Sequence, residues 1–166
     1  MQEGRKAAGP GAGGGMQAVV FRLADQLYAV DIGDVLEIIR PQNLTRVPGA
    51  PDFLEGVINL RGRVIPIIDP AGRFGLDRGG VRTEGGRIVV METGKATVGI
   101  FVEDVSEVLR FSGEQIKPPP EIVAGRANAY VKGIVLADER LIILLDVRRL
   151  LSEREEEALE KAAAVL

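Results

Sequence analysis

From residue 18 onward, apolar and polar positions alternate with a period of two, the signature of half-buried β-strands rather than helices. Val19, Phe21 and Leu23 share one face of a first strand over 19–23, and after Ala24-Asp25-Gln26 the alternation resumes at Tyr28, Val30 and Ile32, predicting a hairpin. A third apolar run over 35–40 stops at Pro41, and Pro48, Gly49 and Pro51 mark an irregular crossing with one helical turn at 52–54. Strands follow over 57–60 and 64–68, joined through Arg61-Gly62 and closed by Asp69-Pro70. Pro66 has no N–H to give to a ladder, so its strand is predicted to lie at an edge or a bulge there. Residues 71–86 are rich in Gly and charge and divide the pattern in two. Strands then resume over 87–92, 97–102 and 105–111, a second crossing opens at Pro118-Pro119-Pro120, and 131–136 and 141–145 form a final hairpin around Asp138-Glu139. The prediction is ten strands, five in each half.

The halves also match residue by residue. Residues 19–38 shifted by 70 fall on 89–108 without a gap, so that Asp34-Val35-Leu36-Glu37-Ile38 meets Asp104-Val105-Ser106-Glu107-Val108. Residues 56–69 shifted by 77 fall on 133–146, Gly on Gly and Asp on Asp. The shared ends and common order point to an internal duplication, and two five-stranded units this small need each other to bury a sufficient core. Ser152-Glu153-Arg154-Glu155 has capping-box spacing and predicts a C-terminal helix over 152–166, whose modest apolar stripe (Leu159, Ala162, Ala163, Leu166) suits docking on the parent domain.

Composition narrows the chemistry. The 166 residues carry a net charge of −3, and the five Glu of 152–166 against Arg154 and Lys161 account for all of it. The near-neutral remainder offers no electrostatic reason to bind nucleic acid or an anionic membrane. Without Cys there are no disulfides or thiolate chemistry, and without His the commonest general base and metal ligand are missing. No apolar run reaches the roughly 18 residues that span a bilayer. Residues 1–16 read as a flexible Gly-rich leader, and their literal G-x-G-x-x-G at Gly9, Gly11 and Gly14 follows no strand, which such a nucleotide loop requires. The expected compartment is the cytoplasm, with no metal, cofactor or catalytic residue.

The run Gly56-Val57-Ile58-Asn59-Leu60-Arg61-Gly62-Arg63-Val64-Ile65-Pro66-Ile67-Ile68-Asp69 closely resembles the signature stretch of the CheW family of bacterial chemotaxis coupling proteins. The flanks Val35-Leu36-Glu37-Ile38 and Val98-Gly99-Ile100-Phe101-Val102-Glu103-Asp104-Val105 agree in the same order, so the resemblance spans about 18–151, within a domain placed at 17–151. It implies an all-β fold of two packed five-stranded SH3-like barrels, and the pattern reads the same whether or not strands are exchanged, with the first hairpin completing the second barrel. It also implies a non-enzymatic scaffold that couples transmembrane methyl-accepting chemoreceptors to the histidine kinase CheA through that kinase's regulatory domain, recruited to membrane receptor arrays without inserting in the bilayer. Carried over by position, a receptor-contacting groove includes Val35, Glu37, Gly56 and Arg61, and a kinase-contacting surface includes Val19, Ile32 and Val105. From the residues alone, Val19, Ile32 and Val105 read as ordinary core, and Gly56 as a site of close approach or positive φ, since Gly133 matches it. Arg61 has Asp138 as its counterpart, which argues for a role particular to the first half; packed as the resemblance implies, its hairpin comes within reach of Glu37, and the two can pair. Two other classes compete. One is an SH3-like module for peptides or nucleic acid, disfavoured by seven Phe or Tyr and no Trp; the other is a hydrolase built on Asp31, Asp69, Asp104 or Asp146.

Overall fold

The structure, a computed structural model, describes residues 15–69, 85–119 and 130–164. Strands β1 (Met16–Leu23), β2 (Gln26–Asp31), β3 (Val35–Ile39), β4 (Leu54–Leu60) and β5 (Arg63–Ile68) precede β6 (Arg87–Glu92), β7 (Thr97–Val102), β8 (Asp104–Phe111), β9 (Ile116–Lys117), β10 (Val131–Ala137) and β11 (Arg140–Leu145). Helix α1 (Glu153–Ala164) ends the described chain. The ten predicted strands are all present, and the eleventh, β9, has two residues, too short for alternation to reveal. The Gly-rich leader falls outside the described residues apart from Gly15 and Met16, and Met16 already belongs to β1.

Ile32 does not extend β2: the Asp31 side chain accepts a hydrogen bond from Gly33 N at 2.8 Å and turns Ile32–Asp34 into a 3-10 turn. The helical turn expected at 52–54 is instead a single reverse turn, in which Leu54 N donates to the Pro51 carbonyl at 3.1 Å and Leu54 enters β4.

The sheets are not the two halves of the sequence. One sheet runs β3-β6-β7-β5-β4 and the other β8-β1-β2-β11-β10-β9. Each half therefore gives its first hairpin to the barrel of the other half: β1–β2 completes the barrel of β8 to β11, and β6–β7 completes that of β3 to β5. The duplication survives in the irregularities too. Register shifts at Leu36 and Ser106, and at Glu55 and Lys132, occupy equivalent places in the two barrels. The β9 pairing of Lys117 with Ile134 has its counterpart in an isolated bridge between Thr45 and Val57. Pro66 lies inside the sheet order, yet β5 meets β7 only from Ile67 onward, so at Pro66 the strand has a partner on its β4 side alone.

Alternation then sorts side chains into three layers. Ile58, Leu60, Ile65, Ile67, Ile88, Val90 and Phe101 fill the first barrel, and Ala18, Val20, Ala29, Phe111, Val135, Ile142 and Leu144 fill the second. The opposite faces of the same strands meet between the barrels, where Val19, Phe21, Tyr28, Val30, Val89, Met91, Val98 and Ile100 form the largest core. A strand such as β1 is thus buried on both faces, with Val19 and Val20 both in cores.

Helix α1 closes one side of this central core. Its capping box forms as the spacing predicts, with Glu155 N donating to Ser152 Oγ at 3.1 Å and Ser152 N donating to Glu155 Oε1 at 3.0 Å. Leu150, Leu151 and Leu159 enter the core, and Thr93 Oγ1 donates to Glu156 Oε2 at 2.9 Å with both side chains buried. That bond ties the helix to the β6–β7 turn, a contact that periodicity cannot foresee. Thr93→Val should therefore lower stability by about 2 kcal/mol, because a buried carboxyl loses its hydroxyl partner. Hydrogen exchange should show the loss concentrated in α1; unchanged protection of the helix would contradict this role.

Candidate functional site

Arg61 and Gly62 form a two-residue turn with φ of 52° and 88°, the left-handed pair that matches the twist of the β4–β5 hairpin. Gly62 N donates to Asn59 Oδ1 at 2.8 Å, fixing the turn. An arginine at positive φ carries a steric penalty that glycine or asparagine largely avoids. Its side chain projects across to β3, where Arg61 Nη2 donates to Glu37 Oε2. β3 and β4 are the two ends of the first sheet's order, so the ion pair bridges the seam of the barrel. The pairing that the sequence suggested is present.

The second barrel holds the same device. Glu107, the counterpart of Glu37, accepts from Arg140 Nη1 at 2.7 Å, at the tip of the β10–β11 hairpin. Asp138 stands where Arg61 does, with φ of 52°, and the guanidinium comes from two residues further on. A Glu–Arg seam pair is thus common to both barrels, and what is particular to the first half is the residue that supplies the cation. Arg61 is mostly exposed and the other three side chains about a third exposed, so each pair contributes on the order of 1 kcal/mol or less.

Gly56 is buried in β4, and a Cβ there would stand 2.7 Å from both Leu44 Cγ and the Thr45 carbonyl oxygen. Gly133 faces the same crowding, 2.8 Å from Ile116 Cγ2 and the Lys117 carbonyl oxygen. Close approach of the crossing strand thus explains both glycines. Gly56→Ala and Gly133→Ala should each cost about 1–3 kcal/mol, since the backbone carbonyl cannot yield as a side-chain tip can. A melting series checks this; unchanged stability in Gly56→Ala would show that crowding does not explain the glycine.

Of the other residues expected at the receptor face, Val35 is half-buried against the central core. Leu36, Ile38 and Val64 are exposed large apolar side chains on β3 and β5, which pattern reading assigned to ordinary strands. The three residues expected at the kinase face do not form one exposed patch. Val19 is 1% exposed and belongs to the central core, and Val105 is packed against that core. Ile32 is 39% exposed. Val105 pairs with Phe21, whereas Asp31, the residue before Ile32, pairs with Ala18, about 10 Å further along β1 at ~3.3 Å per residue, and β8 and β2 flank β1 on opposite sides.

Beside Ile32, two 3-10 turns with aspartate caps meet. Asp31 caps Ile32–Asp34, and Asp146 caps Val147–Arg149 by accepting from Arg148 N at 3.1 Å. Arg148 Nε lies 4.0 Å from Asp34 Oδ1. Burial raises the Asp34 carboxyl above its ordinary value, the nearby Asp31 and Asp146 carboxylates add to the shift, and Arg148 and Lys132 oppose it. Asp31 and Asp146 thus serve as turn caps, which accounts for two of the four carboxylates weighed for hydrolysis. Among the described residues, no three acidic side chains are grouped to hold a metal ion.

Paired barrels with exchanged hairpins, bearing seam ion pairs and exposed aliphatic side chains, define an all-β fold of the SH3-like class. A CheW-like domain family model matches residues 17–155. The chain is 39% identical over 141 residues to the chemotaxis protein CheW of Klebsiella aerogenes, covering 85% of this chain and 84% of that one. It is 38% identical over 145 residues to the probable chemotaxis protein CheW of Rhizobium etli, covering 87% and 93%. The crystal structure of the scaffolding protein TtCheW from Thermoanaerobacter tengcongensis superposes with a TM-score of 0.76 at 36% identity, over 84% of this chain and 90% of that one. The chain belongs to the CheW family, and it is a chemotaxis scaffold. These relatives give no support to a nucleic-acid module or a hydrolase.

Proposed function

We propose that this protein couples methyl-accepting chemoreceptors to the regulatory domain of the histidine kinase CheA, without catalysing a reaction itself. Family membership over nearly the whole described chain carries this reading. The receptor face is the seam of the first barrel, where Glu37 and Arg61 set the position of the β4–β5 hairpin beside exposed Leu36, Ile38 and Val64. Val35 and Gly56 act there from beneath, as packing that fixes β3 and β4. The kinase face centres on Ile32, with Val19 and Val105 holding β1 and β8 in the central core. The protein works in the cytoplasm and reaches the membrane through the receptor, in keeping with the absence of any long apolar helix among the described residues.

Size-exclusion chromatography with a receptor cytoplasmic fragment and the kinase regulatory domain tests the reading. Each should bind alone, and the three should co-elute. Competition between the two partners for one site would contradict a coupler with separate faces. The kinase face has its own check. Ile32→Asp should remain folded, since Ile32 is exposed, and should bind the regulatory domain at least tenfold more weakly, as expected when an apolar anchor in an interface is lost.

A further inference from the structure

We propose that Arg148 is a specificity-determining contact at the kinase face, meeting an acidic group that the partner presents beside an apolar side chain seated on Ile32. The inference rests on the kinase-binding reading above and deepens it.

The charges around Ile32 are layered. The carboxylates are recessed: Asp34 keeps only 23% of its side chain exposed, and Asp31 and Asp146 are engaged as caps of their turns. The cations point outward: Arg148 is 73% exposed and Arg149 70%, and Lys132, close enough to act on the Asp34 carboxyl, is exposed as well. The net charge of the cluster is therefore a poor guide to what a partner meets. A protein docking on Ile32 encounters the guanidinium groups first and the carboxylates behind them, so the complementary surface is acidic.

Arg148 is also poised rather than locked. Its Nε stands 4.0 Å from Asp34 Oδ1, beyond hydrogen-bond distance, so its N–H groups remain able to fork onto another carboxylate. Asp34 keeps the guanidinium over the Ile32 turn, and the Asp146 cap sets the backbone from which it projects. Such a rim charge governs encounter and partner choice more than fold stability.

The test is a binding titration of the full chain against the kinase regulatory domain at low and high salt. It uses Arg148→Glu, Arg148→Ala and Asp34→Asn, with Arg154→Glu on the exposed side of α1 as a control for net charge. Arg148→Glu should bind about tenfold more weakly at low salt, with a shallower salt dependence, and Arg148→Ala should fall between it and the wild type. Asp34→Asn should bind at least as well as the wild type, because the guanidinium is released to the partner, and Arg154→Glu should stay within about twofold. Melting curves of all variants should coincide within a few degrees. Arg148→Glu binding like the wild type would overturn the proposal while leaving the kinase-face reading intact. Asp34→Asn losing as much as Arg148→Glu would show the pair to be structural and overturn it too. Failure of the wild-type chain to bind the regulatory domain would instead refute the kinase-binding reading itself.

Discussion

Severed between residues 77 and 78, the chain is expected to behave as one folded complex of two pieces, neither of which folds alone. The first piece holds β1 to β5 and the second β6 to α1. Because the hairpins are exchanged, the first piece lacks the two middle strands of its own barrel, and Ile58, Ile65 and Ile67 lose Ile88, Val90 and Phe101. The second piece likewise loses Ala18, Val20 and Ala29 from beside Val135, Ile142 and Leu144. At ~25 cal/mol per Å² of apolar surface, uncovering a barrel interior and the central core removes far more than the ~5–15 kcal/mol that holds a domain of this size together. Co-expressed pieces should co-purify and melt in one cooperative transition. Separately expressed pieces should show none. A monomeric, cooperatively melting single piece would mean that hairpin exchange is not what holds the barrels.

Arg61→Ala is expected to produce the larger functional effect. It should leave the fold and kinase binding nearly unchanged, because an exposed pair adds only about 0–1 kcal/mol and alanine bears the same positive-φ cost as arginine. Receptor binding should fall about tenfold or more, as for truncation of an arginine anchor in an interface. Glu37→Ala should behave similarly, and the double variant should lose less than the sum of the two, because both act through one contact. The pair in the second barrel supplies the control. Arg140→Ala removes an equivalent seam bridge from Glu107, so it matches the structural cost while leaving the proposed receptor face untouched. Equal losses of receptor binding in Arg61→Ala and Arg140→Ala would show that both report barrel integrity. Strict additivity of Glu37→Ala and Arg61→Ala would remove the pairing from the explanation.

What could be read in advance follows from what is local. The two-residue turns at Ala24-Asp25, Arg61-Gly62 and Asp138-Glu139 lie between alternating runs, so their hairpins were legible, as was the Ser152–Glu155 cap. The duplication was legible because it preserves spacing. Hairpin exchange was not, since β1–β2 has the same alternation whichever barrel it joins. The seam pair of the second barrel escaped for a related reason: positional matching aligns Arg61 with Asp138, while side-chain reach lets Arg140 serve from two residues away. Val19 shows the limit of period-two reasoning. In a strand flanked by cores on both sides, neither face is free, and the outward face of one barrel is the interior of the pair. Ile32 became exposed because Asp31 diverted the chain into a turn, an effect of one side-chain hydrogen bond.

A scaffold that holds receptor and kinase together is expected to pass receptor state to the kinase. The most direct measurement is the autophosphorylation rate of the kinase with receptor-bearing membranes, with and without this protein. The rate should rise severalfold only when all three components are present, and should fall back when Arg61→Ala replaces the wild type. A kinase rate that is the same with and without the protein, at concentrations where it binds the regulatory domain, would contradict the coupling role.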